Sequence, residues 1–302
     1  MLTLTDLSHV YANGTRALDG ASLEIPTGMF GLLGPNGAGK STLMRCIATL
    51  QAPSSGSIRF RHTEGDIDVL KEPERLRATL GYLPQDFGVY PRVSAYELLD
   101  HLAVLKGIAG RGERKDTVET LLQQVNLWEV RKKAVAGYSG GMRQRFGVAQ
   151  ALIGQPRLII VDEPTAGLDP EERNRFNNLL AAIGENVVVI LSTHIVDDVA
   201  DLCPRMAIIN QGRIVLSGAP QQLTQTLRGR VWRRAVGSAA ELAELQAAML
   251  VISHRLRGGR TVVHVLADEA PGAGFEPVDG SLEDLYFATL AQSRRAAAPA
   301  TA

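Results

Sequence analysis

The chain has 302 residues, long enough for one large domain and a smaller one, and 45% of them are hydrophobic, which supports a substantial core and excludes disorder outside the termini. Lysine plus arginine and aspartate plus glutamate each number 32, so net charge supplies no long-range pull toward nucleic acid or an anionic membrane. The longest apolar runs, such as Val187 to Leu191, fall far short of the roughly 20 residues a membrane-spanning helix needs, so the sequence predicts a soluble chain.

Residues 2–10 and 17–25 alternate as two strands joined around Asn13-Gly14. Tyr11 stands at the start of that turn, where a ring either stacks on a nucleotide base or packs as a partly buried strand-end residue. After the apolar run Met29 to Leu33 comes Gly34-Pro35-Asn36-Gly37-Ala38-Gly39-Lys40-Ser41-Thr42, which fits G-x-x-x-x-G-K-[ST] in full, and Leu43 to Ile47 continue with helical periodicity. Strand, glycine-rich loop and helix are the setting this motif requires. The glycines let the backbone curl around an anion with its N–H groups inward, and the helix N-terminus adds partial positive charge. Lys40 is then placed for β- and γ-phosphates and the Ser41 hydroxyl for Mg²⁺. A short strand at Ser57 to Phe60, a helix opened by Glu72-Pro73-Glu74 and a strand from Leu80 that stops at Gln85 follow.

From about residue 94 to 154 the sequence turns helical. Ser94 caps the run Tyr96 to Leu102, and a second amphipathic run covers Lys115 to Val125, as expected of a helical subdomain inserted into an α/β core. The core resumes with an apolar strand, 157–163, then a helix around 171–184, a strand from Val187 to Leu191, and a hairpin around Gln211-Gly212. Cys46 and Cys203 sit in apolar settings and are expected as buried thiols in a reducing cytosol. Past residue 228 come Arg228, Arg230, Arg233 and Arg234, a helical run from Ala239 to Ala248, strand-like runs at 249–252 and 261–266, a last helix from Leu282 to Leu290 and an Arg/Ala/Pro tail expected to fray. This reads as a small α+β appendage whose arginines form a solvated face.

Chemistry accumulates at strand ends. Asp162 and Glu163 close an apolar strand, where ligands bind in sheets of this kind; the first carboxylate suits metal support and the second suits orienting and deprotonating a water. His194 ends another strand and Gln85 a third. Ser139-Gly140-Gly141 precedes a helix and reads either as a plain N-cap or as a second anion nest, one suited to a neighbouring molecule's nucleotide.

Taken in order, Tyr11, Gly34 to Thr42, Gln85, Ser139-Gly140-Gly141, Asp162-Glu163, Leu168-Asp169 and His194 resemble the ATP-binding subunit of an ABC transporter, over residues 1 to about 220. The resemblance implies an α/β fold: a P-loop NTPase core with a mixed sheet, an N-terminal antiparallel β subdomain and the helical insertion at about 90–155, with residues 221–302 as a small accessory domain and tail. It implies that Tyr11 stacks on adenine, that Gly34, Asn36, Gly37, Ala38, Gly39, Lys40 and Thr42 hold phosphates, and that Ser41, Gln85 and Asp162 hold Mg²⁺. Glu163 becomes the general base, with Lys40, Gln85 and His194 also at the reacting γ-phosphate. Ser139 to Gly141 and Asp169 would serve ATP bound to the opposite subunit. The family's Leu-Ser-Gly-Gly-Gln is altered here to Tyr138 and Met142 at its ends, as in ABC-2 type exporters, which the appendage ending in Ser281 to Tyr286 also resembles. The expected partners are a second copy of the chain or a homologous ATPase, head to tail, and a separately encoded membrane permease, on whose cytoplasmic side the protein would sit to power export of a drug, lipid, polysaccharide or similar substrate. No nucleic-acid partner is expected. An ABC-type ATPase working on nucleic acid or ribosomes stands as the alternative, against which weigh the single domain, the absence of sustained heptads and the balanced charge.

Overall fold

The computed structural model describes residues 1–63, 65–85, 87–88, 90–165, 168–184 and 186–297. The end of the expected frayed tail, from residue 298, lies outside them. The first half of the chain runs β1 (Leu2–Val10), β2 (Arg16–Ile25), β3 (Gly28–Leu33), α1 (Lys40–Ile47), β4 (Ser55–His62), β5 (Gly65–Asp68), α2 (Pro73–Thr79) and β6 (Leu80–Leu83). Strands β2-β1-β4-β5 pair antiparallel in one sheet. Pro73 at the first turn of α2 costs that helix nothing, because its missing N–H has no intrahelical partner there.

Three helices follow: α3 (Ala95–Leu105), α4 (Arg111–Gln124) and α5 (Gly140–Leu152). Ser94 and Glu97 form a reciprocal capping box on α3, so this helix starts where the sequence places it. Helix α4 starts at Arg111 rather than Lys115, because its first turn, Arg111 to Arg114, is polar and shows no apolar period. Among the described residues of this stretch the only β pairing is an isolated bridge between Ser94 and Ala134.

The core resumes with β7 (Leu158–Asp162), α6 (Pro170–Ile183), β8 (Val188–Thr193), α7 (Val196–Leu202), β9 (Arg205–Asn210), β10 (Arg213–Gly218) and α8 (Pro220–Gln225). These strands join β3 and β6 in a six-stranded mixed sheet, order β10-β9-β3-β8-β7-β6, in which only β10 runs antiparallel to its neighbour. Its central strands are apolar on both faces for a simple reason. Phe30, Leu32, Ile160 and Ile190 pack with α1 and the antiparallel sheet, while Leu33, Ile159, Val161 and Leu191 pack with the helical stretch. Each such side chain contributes about 1.5–3 kcal/mol by leaving water. The cysteines are buried as expected, and burial pushes the Cys46 thiol up to about 11 and the Cys203 thiol up to about 12.

The C-terminal residues form β11 (Val231–Val236), α9 (Ala239–Ala248), β12 (Val251–Arg257), β13 (Arg260–Leu266), β14 (Glu276–Val278) and α10 (Leu282–Ala297), with a separate antiparallel sheet, β12-β13-β11-β14. Residues of β11 and α10, among them Val231, Leu285 and Tyr286, share one continuous apolar cluster with Val199 of α7 and Ile208 of β9. Asn210 Nδ2 also donates to Ser293 Oγ at 3.0 Å, so the appendage is seated on the core.

Candidate functional site

Four parallel neighbours, β3, β8, β7 and β6, end side by side, and this alignment makes the site. In register, Leu33 lies beside Thr193 and Asp162 beside Ser192. The loop after β3, His194 after β8, Glu163 after β7 and Gln85 after β6 therefore meet at one edge. They line a cavity of about 400 Å³ together with Tyr11, Pro35, Asn36, Gly37, Gly39, Lys40, Ser41 and Thr42.

The phosphate loop folds as its sequence demands. Gly39 has φ 106°, and a Cβ there would lie 2.4 Å from the Ala17 carbonyl oxygen, so the position accepts only glycine. Gly39 also caps α1 without any side-chain hydrogen bond, which leaves the first N–H groups of the helix directed at whatever enters the loop. Lys40 is buried; its Nζ donates to the Gly34 carbonyl at 2.7 Å and the Pro35 carbonyl at 3.3 Å, and stands 3.4 Å from Glu163 Oε1. Gly34 and Ala38 do not line the cavity: Gly34 offers Lys40 a carbonyl, and the Ala38 carbonyl accepts from Gly212 N–H at 2.9 Å.

Glu163 holds a left-handed backbone, φ 50°, which costs a non-glycine residue on the order of 1 kcal/mol. Its N–H donates to the Ser192 carbonyl at 2.8 Å and its Oε2 lies 2.6 Å from His194 Nδ1. An acid, an ammonium and an imidazole thus meet at one wall of the cavity. Gln85, in a bend two residues beyond β6, reaches the same cavity.

Asp162 sits beneath this group, 4% exposed, and its Oδ1 has no hydrogen-bond partner; nor does Ser192 Oγ beside it. Burial pushes the Asp162 carboxyl above its ordinary range, and the nearby Ser192 hydroxyl, the Ser41 hydroxyl and Lys40 offset this only in part, while Glu163 adds to it. A buried, unsatisfied oxygen beside the Ser41 hydroxyl, below a cavity that Ser41 and Gln85 line, fits a hard cation that keeps water and phosphate ligands. These residues fit Mg²⁺.

Tyr11 closes the other end, its hydroxyl 2.9 Å from Thr42 Oγ1 and its ring edge-on to His9 at 4.7 Å. Thr15, Arg16 and Ala17, which carry no sequence motif, also line the cavity. They arrive there only because β2 folds back over the loop.

Ser139, Gly140, Gly141 and Asp169 lie elsewhere. Ser139 is exposed and caps α5, accepting from Met142 N–H at 3.2 Å, and Asp169 caps α6, accepting from Glu172 N–H at 2.9 Å. The two helix starts abut. A Cβ on Gly141 would lie 2.4 Å from Glu172 Oε2, and Arg145 Nη2 stands 3.6 Å from Glu172 Oε1. The described residues therefore present a cavity at the strand ends and, apart from it, a paired helix-start surface.

The sequence pattern that defines the family described as "ABC transporter" matches residues 18–166. The daunorubicin/doxorubicin resistance ATP-binding protein DrrA of Streptomyces peucetius is 36% identical over 250 residues, 80% of this chain and 74% of that protein. A phosphonates import ATP-binding protein, PhnC of Chromohalobacter salexigens, is 35% identical over 246 residues, 77% of this chain and 89% of that one. Among solved structures, cbiO1 of Clostridium perfringens, part of an ABC transporter complex, has a TM-score of 0.66 at 29% identity, covering 74% of this chain and 90% of that one.

Proposed function

The chain belongs to the ABC transporter family as an ATP-binding, ATP-hydrolysing subunit, and on that premise we propose that it powers an exporter and that its cavity is completed by a second copy of itself. The observation that carries this reading is the separation of Ser139 to Gly141 and Asp169 from the cavity that Tyr11, Lys40, Ser41, Gln85, Glu163 and His194 line. An anion nest apart from its own chain's phosphate loop fits one presented across an interface, over the phosphate loop of the opposite subunit.

Within the cavity, Tyr11 carries the adenine, and the loop N–H groups with Lys40 hold the phosphates. Ser41, Asp162 and Gln85 hold Mg²⁺, which when bound supplies charge neutralisation on the β- and γ-phosphates. Lys40, held by two carbonyls and facing Glu163, exchanges these contacts for the γ-phosphate and so frees the carboxylate to take a proton from water. His194 holds Glu163 from its other oxygen and contacts the γ-phosphate. Residues 1–220 form the ATPase domain, with the helical insertion at about 90–155, and residues 221–302 an accessory domain.

The partner is a separately encoded membrane permease. Among the described residues no helix is long and apolar enough to cross a membrane, and balanced charge offers nucleic acid no attraction. Overall identity does not set direction, since a resistance protein and an import protein match almost equally well. Support for export comes from Tyr138 and Met142 flanking Ser-Gly-Gly and from the C-terminal appendage, with a drug, lipid or polysaccharide as cargo and the cytoplasmic membrane face as location.

Mixing subunits tests the composite site. Ser139→Arg and Lys40→Ala chains are each expected to be inactive, and their mixture to regain part of the ATPase activity through the one competent site per heterodimer. Full activity of both variants alone would overturn the shared site. For the partner, co-purification from detergent with a multi-span membrane protein is expected; stable association with ribosomes or DNA instead would overturn the permease reading.

A further inference from the structure

Thr165, two residues past Glu163 of the cavity, and Arg173, in the first turn of the helix that Asp169 caps, are fastened to one buried side chain. Asp198, in α7 and four residues after His194, is 0% exposed. Thr165 Oγ1 donates to its Oδ2 at 2.6 Å, Arg173 Nε to its Oδ1 at 2.7 Å, and Asn177 Nδ2 to its Oδ1 at 3.4 Å. Thr165 lies two residues past Glu163, while Arg173 and Asn177 lie in the first two turns of α6, the helix that Asp169 caps. A carboxylate this deep is tolerated only when paired and hydrogen-bonded on both oxygens, and here it is.

The geometry has a consequence for Glu163. Its left-handed backbone persists only if the surrounding contacts over-determine it. Ser192 holds its N–H and His194 its side chain, and both belong to β8 and the turn after it. Asp198, just beyond that turn in α7, holds Thr165. The strained turn is thus clamped before and after by one stretch, 192–198, and that stretch reaches through Arg173 to the start of α6. From there Glu172 and Arg145 carry contact to α5.

We infer that Asp198 is a positioning residue for hydrolysis: through Thr165 it sets the turn that aims Glu163, and through Arg173 it sets the helix start that presents Asp169, so that the base of one site and the contribution to the other move as one unit. This rests on the reading of Glu163 as base.

The test uses the full chain and three measurements: kcat, KM for ATP, and the number of fluorescent ATP analogues bound per chain. Thr165→Val removes one hydroxyl at nearly constant volume and leaves the Arg173–Asp198 pair in place, so it avoids the folding risk of changing Asp198 itself. It is expected to lower kcat roughly ten- to hundredfold, as misplacement of a reacting group does, with KM and binding stoichiometry unchanged. Thr165→Ser is expected to restore kcat. Asp198→Asn combined with Thr165→Val should lose no more than the worse single variant, because both act on one path. A purely structural role would instead lower kcat and binding stoichiometry together. Glu163→Gln in the same assay separates the two claims: if it turns over normally, the premise falls and the inference with it. If it is inactive while Thr165→Val keeps wild-type kcat, or serine fails to rescue, only the positioning role of Asp198 is overturned.

Discussion

Asp162 in the ATPase core and Asp284 in the C-terminal appendage are buried alike, 4% and 1% exposed, yet their surroundings act in opposite directions. Burial pushes the Asp284 carboxyl up, but His264 Nδ1 at 2.8 Å and the Ser281 N–H and hydroxyl at 2.9 and 2.8 Å together outweigh it and leave the group below its ordinary range. Asp284 returns its own N–H to Ser281 Oγ at 3.1 Å, a reciprocal cap on α10. Asp162 keeps an oxygen without a partner and is held above its range by burial. The appendage carboxylate is partnered on both oxygens by its own fold, whereas the core carboxylate keeps one oxygen without a partner. Burial alone does not distinguish the two; the partner list does.

The largest effect should come from the cavity. Glu163→Gln is expected to cut turnover roughly 10²- to 10⁴-fold, the range for losing a general base, with nucleotide binding intact. Phosphate release measured beside binding checks this, and near-normal turnover would remove Glu163 from the base role. In the appendage the effect should fall on stability instead. Asp284→Ala strips a cap and leaves the Ser281 N–H without its partner, so a loss of about 2 kcal/mol at neutral pH is expected from chemical denaturation, with ATP affinity unchanged. Because the folded-state carboxyl is depressed, that contribution is present above the unfolded value of about 3.9 and is lost only as pH falls through the lower folded value. A wild-type and variant gap that already closes near pH 6 would mean the Asp284 contacts contribute little.

The same contrast explains what could be read in advance. Lys40, Asp162, Glu163, His194 and Gln85 were legible because a parallel sheet places its strand ends at one edge, so a local pattern suffices to bring distant residues together. Asp198 was not legible. Its helix, α7, is a seven-residue Val-Asp-Asp-Val-Ala-Asp-Leu with three acids that match a solvated turn, and only the packing of α6 makes one of them a buried hub. Strand β11 was missed because Arg233 and Arg234 interrupt its apolar run. The arginine face expected to be solvated is also ion-paired: Arg233 meets Glu276 at 3.0 Å, and Arg234 meets Glu241 at 2.5 Å and lies 5.4 Å from the Phe275 ring. Thr15, Arg16 and Ala17 gave no signal, since a fold-back of two strands alone puts them at the cavity.

The smallest expected effect is the sharpest probe of the contrast, because it reverses the usual sign of a mutation at a buried polar group. The folded-state carboxyl of Asp162 is raised above its unfolded value. Its contribution is therefore fully favourable below the unfolded value of about 3.9 and is lost as pH rises through the folded value, so at neutral pH the ionised group weighs against the fold. Asp162→Asn keeps the shape and removes the charge. It is expected to stabilise the ligand-free chain on the order of 1 kcal/mol at neutral pH, a gain that fades as pH falls toward 4, while Mg²⁺-dependent nucleotide binding weakens. Thermal unfolding from pH 4.5 to 7.5, beside nucleotide titrations with and without Mg²⁺, reads both. A variant less stable than wild type at neutral pH would mean that Lys40, Ser41 and Ser192 already satisfy the carboxylate, and the distinction between a carboxylate kept for the fold and one kept for a ligand would fail at its central residue.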